Sequence, residues 1–244
     1  MSGVTDHLKP DAWLAERLGR ETYRLTVDEA LLDPAGEAER DALLAILNRP
    51  AFVYTKVSPT FMEGLRFLQR HDFRLVDTNV IFEKKAYPGR QETEDSGVRL
   101  AKPSDRDATV ELARSSFRYS RFHLDPQIPR ETADRIKADW VAAYFAGTRG
   151  HQMVVIQVDE EVAGFLQLLR AADGSLVIDL IAVDERYRRR GLGAEMIAFV
   201  ESRTRAGELI RVGTQIANIA SVRLYESAGF RMTEAQYVFH YHHA

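Results

Sequence analysis

The order of residue patterns predicts an α/β fold: a mixed sheet with helices on both faces, preceded by a shorter α/β unit. Three observations carry that expectation. Strand-like apolar runs alternate with helical spacing along most of the 244 residues. A polar stretch from Tyr87 to Gly97, carrying Pro88 and Gly89, interrupts the alternation. A basic turn, Arg188-Arg189-Arg190-Gly191-Leu192-Gly193, stands between a strand-like run and a helix start.

Taken in order, residues 23–27 are β-prone, and Asp33 with Pro34 opens a helical pattern through Ala38, Leu43, Leu44 and Leu47 that stops at Pro50. Ala51 to Val57 reads as a strand. Ser58, Pro59 and Thr60 then begin a helix with Phe61, Leu65 and Leu68 at helical spacing, and residues 73–84 return as a strand. The absence of apolar periodicity makes residues 89–96 the linker, which separates a first domain (1–88) from a second (97–244). The second reads as a strand from Val98, a helix from Ser104 to Ser116, an irregular loop, and a helix with Trp140 and Tyr144. Strands around Met153–Gln157 and Val162–Leu169 precede the run from Ser175 to Val183. A helix from Ala194, a strand from Leu209 to Ile216, a helix begun by Asn218 and ended by Gly229, and a last strand complete the chain.

The first domain also shows a likeness to the end of the second. Leu68 to Phe82 can be laid on Tyr225 to Phe239 at a constant offset that places Phe73 and Arg74 on Phe230 and Arg231. On this reading residues 1–88 are a truncated second copy of the fold. That copy lacks the glycine turn and has Leu68 where the longer one has Tyr225.

Composition excludes several classes. The net charge of −3 provides no overall basic field for nucleic acid, so the cluster from Arg186 to Arg190 is a local feature suited to a phosphate ligand. With no cysteine, there is no disulfide, thiolate zinc site or cysteine acyl-enzyme. No run approaches the roughly 18 apolar residues of a membrane span, and the N-terminus carries no apolar leader, so the expected location is cytoplasmic.

The glycine turn is an anion cradle in its chemistry. Glycine admits backbone amides to a ligand without a Cβ in the way, and the following helix presents its positive end. Its spacing is neither the three-glycine dinucleotide fingerprint nor the lysine-bearing P-loop. Arg-x-x-Gly-x-Gly after a strand resembles the pyrophosphate-binding motif of the GNAT superfamily of N-acetyltransferases. That resemblance implies a mostly antiparallel sheet over residues 97–244 and acetyl-CoA as co-substrate. It implies that Arg188, Arg189, Arg190, Gly191, Leu192, Gly193 and Ala194 hold the phosphates through their amides, and that a strand amide near Ala182 and Val183 polarises the thioester carbonyl.

Asn218 stands where an N-cap belongs and, in the resembling family, also contacts the cofactor arm. The run from Ala220 to Phe230 looks like a conserved helix region of that family, whose tyrosine is the usual general acid; the resemblance assigns this role to Tyr225. A base is also needed, because an amine attacks only when neutral. Asp179, a carboxylate inside an apolar strand, and His123 are the candidates, with proton loss through water as the alternative.

The loop from Phe117 to Pro129 gathers aromatics, arginines, a histidine and an aspartate, a set suited to an acceptor with a ring and negative charge. Arg121, Phe122, His123 and Asp125, with Asp139, Trp140 and the corner at Gln215 and Asn218, resemble the N-acetyltransferases of nucleotide-linked 4-amino-4,6-dideoxysugars. Arg121, Phe122, His123, Asp125 and Gln215 are thereby expected to contact the acceptor. The expectation is a direct acetyl transfer to a small-molecule amine, with no metal, nucleic acid or membrane partner, and with a homodimer left open. Alternatives are acetylation of a protein amine or another metabolite, and a non-catalytic acyl-CoA module.

Overall fold

The computed structural model describes residues 6–87 and 97–243. The expected linker, 89–96, lies outside the described residues. The chain divides into two compact units. One comprises the residues up to Asn79, Leu124–Ile128 and the residues from Ala235 onward; the other comprises Val80–His123 and Pro129–Glu234.

The first unit is built on strands β1 (Leu8–Pro10), β2 (Glu21–Leu25), β3 (Ala51–Val57) and the second half of β10 (Arg231–His242), adjacent in that order. β2 and β3 are parallel, and the outer pairings are antiparallel. Helices α1 (Ala12–Leu18), α2 (Glu29–Leu32) and α3 (Glu37–Leu47) connect the first three, and α4 (Met62–Arg70) follows β3. Helix α1 was not foreseen; its start is capped by Asp11, which accepts from the Leu14 amide at 3.0 Å, and its end is turned by Gly19 at φ 67°. One face of β3 contributes Ala51, Val53 and Val57 to a core with Leu31, Leu43, Leu47, Leu68 and Phe239. On its other face the Phe52 ring lies 4.8 Å from the rings of both His240 and His242. Burial on both faces explains the near-continuous apolar run of this strand.

Those histidines converge on Asp125. His240 Nδ1 and His242 Nε2 each lie 2.6 Å from Asp125 Oδ2, and the Gln127 amide donates to Oδ1 at 2.9 Å. Arg20 lies 2.6 Å from His242 Nδ1. Arginine can only donate, so His242 Nδ1 is the acceptor and Nε2 carries the proton it gives to Asp125. The three ligand atoms of Asp125, His240 and His242 lie within 4.8 Å of one another and are joined by these hydrogen bonds. Burial alone would raise the Asp125 carboxyl, yet the hydrogen bonds from His240, His242 and Gln127 hold it well below the usual carboxylate range. A depressed folded-state value means stability present above the unfolded carboxyl pKa and lost as pH falls below it.

The second unit orders its strands as the end of β4 (Arg74–Lys85), then β9 (Leu209–Gln215), β8 (Leu176–Val183), β7 (Glu161–Arg170), β6 (Gln152–Val158) and β5 (Val98–Leu100). β5 to β8 pair antiparallel, and β8 with β9 is parallel. Helices α5 (Arg106–Ser116) and α6 (Arg130–Phe145) cover one face through Leu112, Ala113 and Val141 against Met153, Val155, Phe165 and Leu180. On the other face lies α7 (Leu192–Ser202), whose Met196 approaches so closely that a Cβ on Gly164 would meet it at 3.2 Å. Asp105 closes the entry to α5 by accepting from Arg99 at 2.6 and 2.8 Å and from the Lys102 amide at 2.7 Å.

The likeness between the two halves recurs in local geometry. Helices α4 and α8 (Ile219–Ser227) each have 9 residues, and each leads to a strand of 12. Both corners turn through a left-handed residue, Asp72 at φ 60° and Gly229 at φ 87°. The same bond closes both, from the Phe73 amide to the Leu68 carbonyl and from the Phe230 amide to the Tyr225 carbonyl, each at 3.0 Å.

Asp125→Ala should cost about 3–5 kcal/mol, the scale for removing one partner from a buried charged network. Urea denaturation checks this. The variant should also lose part of the stability decline that the parent shows below about pH 4.

Candidate active site

The site begins with an irregularity in β8. Gln167 of β7 pairs with Leu180 and Leu168 pairs with Ile178, so Asp179 is an extra residue without a partner, a β-bulge. Among the described residues, the parallel pairing of β8 with β9 is confined to Leu176–Ile178 against Ile210–Val212. Past the bulge the two strands no longer hold each other. There a groove of about 540 Å³ opens, lined by Ile181, Ala182 and Val183 on one side and Gln215 and Asn218 on the other.

The Asp184 amide bonds back to Ala163 of β7 at 2.8 Å. Strand alternation therefore turns the Val183 amide and carbonyl toward the groove side. The carbonyl accepts from Arg188 Nε at 3.1 Å, which leaves the amide as the donor facing the opening.

The glycine turn forms one end of the groove. Asp184 caps a short 3-10 turn, Glu185–Tyr187, by accepting from the Arg186 amide at 2.8 Å. Arg189 then takes a left-handed conformation at φ 64°, and Gly191, the N-cap of α7, another at φ 87°. Among the described residues, the amides of Arg189, Arg190, Gly191, Leu192 and Gly193 donate to no carbonyl, and α7 has no side-chain cap. Five successive amides are thus presented at a helix N-terminus, the requirement for an anion site. Gly193 has a second role, since a Cβ there would meet Leu224 of α8 at 3.1 Å.

The sequence-derived candidates separate by whether they line the groove. Ala182, Val183, Arg188, Arg189, Gly191, Leu192, Gly193, Ala194, Gln215 and Asn218 line the groove. Within that group Ala194 is corrected as an amide donor, because its N–H is taken by the Gly191 carbonyl at 2.9 Å. Asn218 caps α8 by accepting from the Ser221 amide at 3.3 Å. Arg190 stands outside the lining, with its guanidinium 5.2 Å from the Tyr187 ring.

Tyr225 is 2 % exposed and packs between Phe82 and Phe230, each 5.9 Å away between ring centres. Its helix neighbours Ser221 and Leu224 line the groove. Its hydroxyl has no hydrogen bond among the described residues, and burial pushes the phenol well above its usual range.

Asp179 requires a correction as a base. It receives Arg149 at both oxygens, at 2.9 and 2.8 Å, and Gln167 Nε2 at 3.2 Å. A carboxylate so occupied braces the bulge: both oxygens are engaged by the Arg149 guanidinium, which makes Asp179 a structural ion pair rather than a base poised for an amine.

The acceptor-loop residues need correction too. Phe122 is fully buried, 5.9 Å from Trp140. His123 is held between Ser120 Oγ at 2.6 Å and Asp134 at 2.9 Å, and burial lowers its imidazole despite the opposing Asp134 bond. Asp125 belongs to the histidine network of the first unit. Arg121 has its guanidinium 4.5 Å over the Phe122 ring. The loop residues that do line the groove are Phe117, Arg118, Tyr119 and Ser120, with Ser116 before them. Their position at the end of α5 was legible, but nothing in their residue types distinguished them from the four that turn inward.

A five-amide helix terminus beside a splayed parallel strand pair makes a groove suited to an anionic ligand, and the acetyltransferase (GNAT) family model matches residues 107–230. The chain belongs to that family and is an enzyme of the N-acetyltransferase class. It is 30% identical over 219 residues to the dTDP-fucosamine acetyltransferase of Escherichia coli, covering 88% of each chain. It is also 32% identical over 140 residues to the spore coat polysaccharide biosynthesis protein SpsD of Bacillus subtilis, covering 57% of this chain and 48% of that one. In fold it is similar to a Staphylococcus epidermidis protein of unknown function (TM-score 0.67, 12% identity, 100% and 94% covered). It is likewise similar to an N-acetyltransferase of this family from Sphaerobacter thermophilus (TM-score 0.59, 13% identity, 91% and 72% covered). Among the described residues, no helix is long and apolar enough to cross a membrane.

Gly191→Ala should cost about 1–2 kcal/mol, the penalty of a left-handed conformation for a residue with a Cβ. Chemical denaturation of the two proteins side by side measures it.

Proposed function

We propose that the protein transfers the acetyl group of acetyl-CoA directly to the amine of a nucleotide-linked 4-amino-4,6-dideoxysugar. The observation that carries the donor half is the run of five unbonded amides from Arg189 to Gly193 at the start of α7. Diphosphate oxygens would accept from them, each bond contributing about 1.5–3 kcal/mol. The acceptor half is supported by the likeness to the dTDP-fucosamine acetyltransferase, which extends over 88% of both chains rather than over the family domain alone.

In this reading the Val183 amide donates to the thioester carbonyl as negative charge develops there. The neutral amine attacks, the C–N bond forms, and the C–S bond breaks to release the coenzyme A thiolate. Two protons leave the nitrogen through water, one from the ammonium before attack and one after the C–N bond forms, since Asp179 and His123 are both engaged elsewhere. The second is balanced by the thiolate, which takes a proton from solvent once released. Tyr225 donates its O–H to the departing sulfur. A thiol's ordinary pKa of about 8.5 lies well below that of a buried phenol, so Tyr225 stabilises the thiolate by hydrogen bonding more than by full proton transfer.

Tyr225→Phe should therefore lower kcat by about 10²-fold, the low end for a positioned acid, with coenzyme A affinity nearly unchanged. Thiol release from acetyl-CoA, measured with a dTDP-linked 4-amino-4,6-dideoxysugar and with a peptide amine, tests both halves. Turnover with the sugar is expected. Turnover with the peptide alone would overturn the acceptor, and an unaltered kcat in the variant would remove Tyr225 from the chemistry.

A further inference from the structure

Lys137 of α6 is a buried cation that no carboxylate among the described residues pairs with. Its residue is 7 % exposed, and among the described residues its ammonium makes no hydrogen bond or ion pair. It lies 4.1 Å from the Trp140 ring and 5.0 Å from the Phe117 ring. The charges facing it are Arg149, which follows α6, Arg121 and His123 of the acceptor loop, and Asp179 of β8. Asp179, the single carboxylate in that set, spends both oxygens on Arg149. Arg149 in turn lies 4.9 Å from the same Trp140 ring. A cation in such a place is costly, and an apolar side chain would fill the volume at no electrostatic penalty.

Phe117 gives this arrangement its connection to the groove. It is the C-cap of α5, packs against the cluster formed by Leu112, Ala113 and Val141, and also lines the groove. We propose that Lys137 is a positioning residue whose charge sets the grip on Phe117 and Trp140, and through Phe117 the shape of the acceptor end of the groove. The proposal rests on the transferase reading above. When charged, the ammonium draws both ring faces toward itself; when neutral, that attraction is gone.

The charge changes within the working range. Burial, opposed by Asp179 and reinforced by Arg121 and Arg149, lowers the Lys137 ammonium to about 7. The grip is therefore present below that pH and released as pH rises through it. Stability runs the other way. The unfolded chain holds this proton up to the ordinary lysine range, so the group penalises the folded state most at low pH, and the penalty is relieved as pH rises.

The experiment compares the parent protein with Lys137→Met, of similar length without charge, and Lys137→Arg, charged throughout. The acceptor KM for a dTDP-linked 4-amino-4,6-dideoxysugar is measured from pH 6 to 8.5, alongside coenzyme A affinity by calorimetry. In the parent, acceptor KM should rise by about three- to tenfold across the range, as a single cation–π contact can supply. Coenzyme A affinity should stay flat, and Lys137→Met should abolish the rise.

In a Trp13→Phe background Trp140 is the sole tryptophan, since the chain has 2. Its fluorescence should then show a step near neutral pH that Lys137→Met removes. This second readout needs no acceptor. An acceptor KM in Lys137→Met that follows the parental pH course, or a fluorescence step that survives the substitution, overturns the proposal. If the fluorescence step depends on Lys137 but no amine is acetylated by the parent, the transferase reading is what fails.

Discussion

The bulge at Asp179 is the constraint on which the site depends. A strand paired on both edges has no amide to spare. Here the extra residue ends the useful register with β9 while the antiparallel register with β7 continues from Leu180 to Val183. One edge of β8 stays fixed and the other is freed, so the Val183 amide is held rigidly yet has no partner strand. The Arg149–Asp179–Gln167 brace keeps the bulge from relaxing. An apolar residue at 179 could not receive those donors.

The phosphate end obeys the same logic by other means. Leaving five amides unpaired is tolerable because they lie at the end of an open groove lined by Arg189, Gly191, Leu192 and Gly193, where water serves until a ligand arrives. The two glycines serve different ends. Gly191 accepts the left-handed turn at the start of α7, and Gly193 lets α8 approach through Leu224. Arginine charge matters less than it appears from the sequence, because Arg186 is engaged by Asp184 and Glu161, and Arg190 lies over Tyr187 outside the groove lining.

The loop between α5 and α6 shows where residue chemistry misleads. Phe122, His123 and Asp125 have the side chains of a binding site, and all three are spent on structure. Each reaches a partner distant in sequence or in another element: Trp140, Asp134, and the pair His240 and His242. The groove instead receives Phe117, Arg118, Tyr119 and Ser120, the residues at the exit of α5. Lys137 was equally invisible, since a lysine on a helix of mixed polarity reads as solvated until its neighbours are known.

Elements with local causes were legible in the sequence alone. Strand β3, the strand–turn–helix at the cradle, the cap at Asn218 and the corner at Gly229 follow from spacing, capping chemistry and the need for φ above zero. The mixed α/β class followed from their order, and the family from the resemblance carried by Arg188 to Gly193 and by the run from Ala220 to Phe230. Helix α1 and the short strand β1 escaped, being too brief to establish a period. Only the tertiary structure decided which polar groups are free. Whether Asp179, His123 or Asp125 can meet a ligand depends on Arg149, Asp134, His240 and His242, and no local pattern records that a lone pair is already taken.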